Sequence, residues 1–249
     1  MRIAAIADVH GNLIALEAVL AHLRTANPDI IVNLGDLVSG PFDPAGSADA
    51  QMNLGCPTIS GNQERQLLED AIVMRDLDDA FARPRLTRAH LDWIAGLPKT
   101  LTLAGGQVFA CHGSPAGGDL EYLLEDVRSG RPVVDTEEAI LPRLAGIGKA
   151  SVVFCGHTHV PRVVAVGDIL VVNPGSVGMP AFRGETPVPH VIDAGAPHAH
   201  YAIVEKLPAG WTAELRAVPY DFEAAARQAE QADRHAVAYS ARTGRLPPA

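Results

Sequence analysis

Five short groups of residues in this 249-residue chain carry side chains suited to divalent metal ions. They are Asp8-Val9-His10, Gly35-Asp36, Gly61-Asn62, His112-Gly113 and Gly156-His157-Thr158-His159. Together they supply two Asp, one Asn and four His, all oxygen or imidazole donors of the kind that bind divalent transition metals. In an extended segment, residues two apart point the same way, so Asp8 and His10 can converge on one ion. His157 and His159 repeat that spacing, or divide between two ions if the turn bends. Taken alone, a His or Asp at a strand end is usually a turn or capping residue, and Asn62 after a glycine is most often part of a turn. Five such groups, each behind an apolar run, are poorly explained that way.

Those apolar runs are the elements that must position them. Strands are expected over 3–7, 30–34, 57–60, 107–111 and 151–155, so every group falls just past a strand. Open α/β sheets gather functional groups beyond the carboxyl ends of their strands. Asn12 can cap a helix to about Arg24, with Leu13, Leu16, Val19, Leu20 and Leu23 on one face. Residues 63–95 read as helical with a break near Arg83-Pro84. Residues 100–103 pair with 107–111 as a hairpin, and Asp135 with Glu138 has capping-box spacing before a short helix to about Leu144. Further strands are expected over 163–166, 169–172, 201–205 and 211–218. Asp221 should cap a single alanine-rich helix from Phe222 to about Ala241, and 180–197 is the one long irregular stretch. The pattern gives the α/β class, with one domain over 1–220 and a helix and tail over 221–249 that form no separate domain.

Asp-x-His, Gly-Asp, Gly-Asn, His-Gly and Gly-His-Thr-His, in that order, resemble the signature of calcineurin-like metallophosphoesterases over about residues 1–180. His10-Gly11-Asn12 and Asn173-Pro174-Gly175-Ser176 are similar to small bacterial and archaeal members. The resemblance implies a four-layer α/β/β/α sandwich with the site between two sheets. It implies one ion on Asp8, His10 and His159, another on Asn62, His112 and His157, and Asp36 bridging. Mixed nitrogen and oxygen ligands suit Mn, Fe, Zn, Co or Ni, with Mn favoured, better than a dedicated Mg or Ca cage. The implied chemistry is hydrolysis of phosphate esters, diesters foremost, by a metal-bridging hydroxide. Asp36, Asn62 and Gln63 would be catalytic, and Asn62 with Arg183 would hold the substrate phosphate. A diadenosine-polyphosphate hydrolase or protein phosphatase is the enzymatic alternative, and a scaffold that has lost catalysis is the non-enzymatic one.

One departure from the family pattern matters. Many relatives place His after the Gly-Asn pair, where it serves the transition state or the leaving group. Here that position is Gln63, which donates hydrogen bonds but cannot give up a proton at neutral pH. His190, His198 and His200 read as ordinary surface histidines, and Gly148-Lys149 lacks P-loop spacing.

Composition sets bounds on partners. A formal net charge of −9 argues against a protein that grips nucleic-acid backbones, so small phosphoesters are the expected substrates. Cys56, Cys111 and Cys155 form no CxxC pair, and the latter two lie in apolar runs as inert thiols. With no secretory pattern and no apolar run near ~20 residues, the expectation is a soluble cytoplasmic protein without membrane contact. The oligomeric state is left open.

Overall fold

The computed structural model describes residues 1–69 and 76–248. Strands β1 (Arg2–Ile6) and β2 (Ile30–Asn33) run parallel in one sheet. A C-terminal pair, β12 (Ala199–Leu207) and β13 (Gly210–Val218), joins antiparallel on the other side of β1. The second sheet has the order β3-β4-β7-β9-β8, where β3 is Thr100–Leu103, β4 Val108–Cys111, β7 Val152–Phe154, β8 Arg162–Val166 and β9 Ile169–Asn173. Its three inner strands are parallel and its edges antiparallel.

The two-residue period of the strands sorts their side chains between separate cores. Ile3 and Ala5 point toward Val108, Val152, Phe154 and Val172 of the other sheet. Ala4 and Ile6 point the opposite way, onto Leu16, Val19 and Leu23 of helix α1 (Leu13–Ala26). The outer face of the second sheet, through Val153 and Val171, packs on Ile140 and Leu144 at the helix Glu137–Arg143. Burial on both faces is why β1 and β7 read as unbroken apolar runs. Helix α1 starts where Asn12 accepts from the Ala15 N–H and stops at Asn27, which takes a left-handed conformation.

Several elements differ from the sequence expectation. Residues 57–60 make only an isolated bridge between Thr58 and Asn33, because the Ser60 N–H turns away to the Pro98 carbonyl. The unexpected helix α2 (Pro44–Leu54) lacks a strong apolar stripe; its start is marked instead by the Asp43 cap and the following Pro44. The helical stretch expected over 63–95 consists, as described, of the short helices Asn62–Leu67 (α3), Leu77–Ala82 and Arg88–Ala95, with a 3-10 turn at Arg83–Arg85. The part of that expectation on 70–75 lies outside the described residues. Thr136, not Asp135, caps the helix Glu137–Arg143, and Asp135 pairs with Arg143 at 2.6 Å. The C-terminal helix is two helices, Phe222–Gln231 and His235–Thr243, because Asp233 turns left-handed between them. The irregular stretch contains a hairpin, β10 (Ala181–Gly184) with β11 (His190–Asp193).

Candidate metal centre

Parallel strands in each sheet deliver the chemistry to one place. Asp8 and His10 follow β1, Asp36 follows β2, His112 follows β4, and His157 and His159 follow β7. The loops are stitched together by backbone hydrogen bonds. Asp8 N–H donates to Gly35 O at 3.0 Å, His10 N–H to Asp36 O at 3.0 Å, and Gly156 N–H to His112 O at 2.7 Å. The side chains fall into two groups, Asp8-His10-His159 and Asp36-His112-His157; within each, one donor atom per residue lies within 4.8 Å of the others. Asn62, the first residue of α3, places Oδ1 3.1 Å from His112 Nε2.

The backbone is strained where the donors sit. Asp8, His10, Asp36, His157 and His159 all have φ between 50° and 67°, the left-handed region that non-glycine residues avoid. Such conformations cost on the order of 1–3 kcal/mol each and persist where the surroundings enforce them. Two close approaches show the enforcement. A Cβ on Gly61 would lie 2.2 Å from Asp36 Oδ1, and one on Gly178 would lie 1.9 Å from Val9 O.

Three imidazoles are oriented through Nδ1. His10 Nδ1 lies 2.9 Å from Ser39 O, His112 Nδ1 2.8 Å from Leu34 O, and His159 Nδ1 2.6 Å from Met179 O. Carbonyls only accept, so each Nδ1 carries a proton and each Nε2 is turned inward. In the first group the inward atoms of His10 and His159 are 3.1 Å apart. At that separation one cation could be held by both. Beside them Asp8 Oδ1 is buried without a hydrogen-bond partner among the described residues, 3.5 Å from His159 Nε2. Asp36 Oδ2 reaches both groups, 3.4 Å from His112 Nε2 and 4.0 Å from His10 Nε2.

The electrostatics describe the same need for positive charge. Burial works against a carboxylate at Asp8 and Asp36, yet His159 beside the first and His112 beside the second hold both below the usual range. Burial also opposes an imidazolium at His112, but the Asp36 and Asp8 carboxylates outweigh it and push the ring up to about 10. A proton on His112 thus stands in for the cation. Burial and the His112 charge hold His157 down to about 4, and burial with His159 lowers His10. Imidazole, carboxylate and amide donors, with Asp8 Oδ1 unpartnered among the described residues and two Nε2 atoms converging, fit divalent transition-metal ions.

Both groups open on a cleft of about 170 Å³ that Gln63, Phe182 and Arg183 also line. Gln63 N–H donates to Asp36 Oδ1 at 3.0 Å, and its Oε1 is buried with no hydrogen-bond partner among the described residues. Arg183 lies exposed on β10 at the same cleft. His190 corrects the surface reading: it is buried, Nδ1 facing Val188 O at 2.7 Å and Nε2 facing Tyr122 Oη at 2.9 Å. His198 and His200 are half-buried rather than exposed, and neither lines the cleft.

Supporting residues went unassigned in the sequence. Glu64 accepts from Asp36 N–H and Gly61 N–H through Oε2 and from Leu37 N–H through Oε1, all at 2.8 Å, clamping two ligand loops. Its place three residues after Gly61, the capping-box spacing, was the available signal. Asn173 donates to Gly156 O and Thr158 Oγ1, both at 2.9 Å, and Ser176 Oγ donates to Asp8 O at 2.7 Å. Tyr122 lays its ring 5.0 Å from that of His157.

Residues 1–194 match the calcineurin-like phosphoesterase superfamily domain, and the chain belongs to that superfamily, whose members are metal-dependent. A metallophosphoesterase from Sphaerobacter thermophilus superposes with a TM-score of 0.70 at 25% identity, covering 96% of this chain and 100% of its own. A hypothetical protein from Pyrococcus horikoshii superposes with a TM-score of 0.78 at 17% identity, covering 99% of each chain. An uncharacterised protein from Methanocaldococcus jannaschii is 26% identical over 201 residues, 72% of this chain and 76% of the relative.

Proposed function

We propose that the chain hydrolyses phosphate esters, diesters foremost, at a dinuclear metal site. The observation that carries this reading is Asp36 Oδ2 set between two donor groups, with the Nε2 atoms of His10 and His159 converging to 3.1 Å. Asp8, His10 and His159 would hold one ion, Asn62, His112 and His157 the other, and Asp36 both. When bound, such a pair of ions supplies an activated water and neutralises charge on the phosphoryl group. Nδ1-to-carbonyl bonds aim the Nε2 atoms of His10, His112 and His159 inward. Arg183 at the cleft rim can take phosphate oxygens, since a guanidinium matches their spacing. Manganese is the first ion to load, and the net charge of −9 directs the enzyme to small esters rather than nucleic-acid backbones.

The test is hydrolysis of bis(p-nitrophenyl) phosphate by full-length protein with Mn added and with chelator. Activity only with metal is expected; a metal-loaded protein inert toward aryl mono- and diesters would leave the scaffold reading standing. Gln63 sharpens the test. A placed general acid is worth about 10²–10⁴-fold when the leaving group needs a proton. Aryl esters should therefore outpace alkyl esters by roughly 10²-fold or more, and Gln63→His should narrow the gap. Equal rates on aryl and alkyl diesters would show that another group protonates the leaving oxygen.

A further inference from the structure

Beside the metal cleft lies a larger cavity of about 720 Å³. That volume lies within the usual range for small-molecule sites, about 300–1,000 Å³. Two features join it to the cleft. Tyr122 lines the cavity while its ring packs 5.0 Å from His157, which lines the cleft. The β10–β11 hairpin also runs from one to the other: Phe182 and Arg183 face the cleft, and Thr186 and Pro187 line the cavity. Arg183 and Thr186 are three positions apart, so the two spaces lie within roughly 10 Å along the hairpin, at ~3.3 Å per residue.

The walls indicate what would fit. Leu120, Val127, Ala139 and Pro187 give apolar surface. The two cations at the wall are already committed. Arg128 donates to Asp126 Oδ2 from Nε at 3.0 Å and from Nη2 at 2.8 Å, and Arg143 pairs with Asp135 at 2.6 Å while also donating to the Tyr122 and Leu123 carbonyls. Glu125 pairs with Arg162 at 2.9 Å and Glu121 adds a further carboxylate, so carboxylates outnumber guanidinium groups at the wall. A second phosphate or a polyphosphate tail would meet repulsion there, whereas a neutral group with an apolar face and hydrogen-bond donors would not.

We propose that this cavity receives the bulkier, uncharged, nucleoside-sized ester group of a phosphodiester whose phosphate lies in the metal cleft. The proposal rests on the phosphoesterase reading above and adds the substrate's size and charge. It implies that polyphosphate esters are poor substrates.

The experiment compares two diesters with the same nitrophenolate leaving group, methyl p-nitrophenyl phosphate and the p-nitrophenyl ester of thymidine 5′-phosphate. Mn-loaded full-length protein is used as wild type, Ala139→Trp and Leu120→Trp. Leu120 is 52% exposed, so the second variant fills the cavity mouth from a position where a bulky side chain costs little in folding. The wild type should favour the thymidine ester at least tenfold in kcat/KM. Each Trp should cut that preference tenfold or more. Equal kcat/KM for the two esters, or a preference that neither folded variant moves, would overturn the cavity proposal and leave the phosphoesterase reading intact. Hydrolysis of neither ester by metal-loaded protein would sink both.

Discussion

The two halves of the metal centre are built to different standards of rigidity. In Asp8-His10-His159 every residue is buried, and both rings are pinned through Nδ1 to backbone carbonyls. In Asp36-His112-His157 only His112 is pinned that way, while His157 is half-buried with its ring beside those of His112 and Tyr122. Asp36 spans the two. Rigid, fully desolvated donors hold an ion tightly, and a half-exposed donor at the cleft suits the position where substrate is engaged. The contrast predicts a tight first site and a weaker second one.

Asp36→Ala is the largest perturbation, because it strips a carboxylate from both halves. Metal chemistry contributes several kcal/mol and each ~1.4 kcal/mol is tenfold, so activity should fall roughly a thousandfold. Elemental analysis should show depleted metal at both sites. Full metal content in this variant would remove Asp36 from its bridging place.

Asn173→Ala tests whether the halves share their support. Asn173 holds Gly156 O and Thr158 Oγ1, and the turn it secures carries one histidine of each half. Loss of such a supporting contact typically costs about 10–100-fold in affinity or activity. Both sites should weaken together. Loss of one alone would show that the turn has two independent anchors.

The donors of this centre were legible in the sequence because strand, glycine and ligand recur in a fixed local order. Their supports were not, since Glu64, Asn173 and Ser176 act on residues 28, 17 and 168 positions away at the extremes of their reach. Local pattern carries no record of such contacts. The same limit explains His190. Its neighbours in sequence are polar and proline-rich, but the β10–β11 pairing turns it inward to Tyr122. The unexpected bend at Asp233 has a related cause: alanines continue on both sides of it, and the two helices gain by folding their small faces onto Phe42 and each other. Conversely, β1 and α1 were readable to within a residue or two, because their burial follows their own period.

Single histidine deletions separate the halves more finely. His159→Ala removes a buried ring and leaves the Met179 carbonyl without its donor, which should cost about 2–4 kcal/mol in the metal-free protein. His157→Ala removes a half-buried ring with no such anchor, and about 1 kcal/mol is expected. Denaturant melts of chelator-treated protein measure the difference. Metal titration of the same variants should show His157→Ala keeping the tight ion and losing the weak one. The reverse order in either experiment would invert the assignment of rigid and open halves.

The last expected effect is on pH, and in the absence of metal it lies within the second half, where His157 and His112 titrate with opposite sign. His157 has a folded value of about 4 against 6.5 unfolded, so the unfolded chain binds its proton first as pH falls. Its contribution is present above 6.5 and is lost on the way down to about 4. His112 has the opposite sign, about 10 folded against 6.5 unfolded, because Asp36 and Asp8 overcome the burial penalty. Its contribution is complete below 6.5 and is lost as pH rises through about 10. Each limb changes by up to about 1.4 kcal/mol per pH unit. Because the buried Glu64, Asp79 and Glu125 carboxyls, pushed up to about 7, lose stability across the acid range as pH rises, the histidine slopes are read as differences between chelator-treated wild type and the His157→Gln and His112→Gln variants. On the dinuclear proposal a metal ion would replace the His112 proton and require His157 neutral, so saturating Mn should flatten the alkaline limb while affinity weakens in acid. His112→Gln should remove the alkaline limb of the metal-free protein, and an unaltered slope between pH 7 and 10 in that variant would show that His112 does not carry the charge that stands in for the metal.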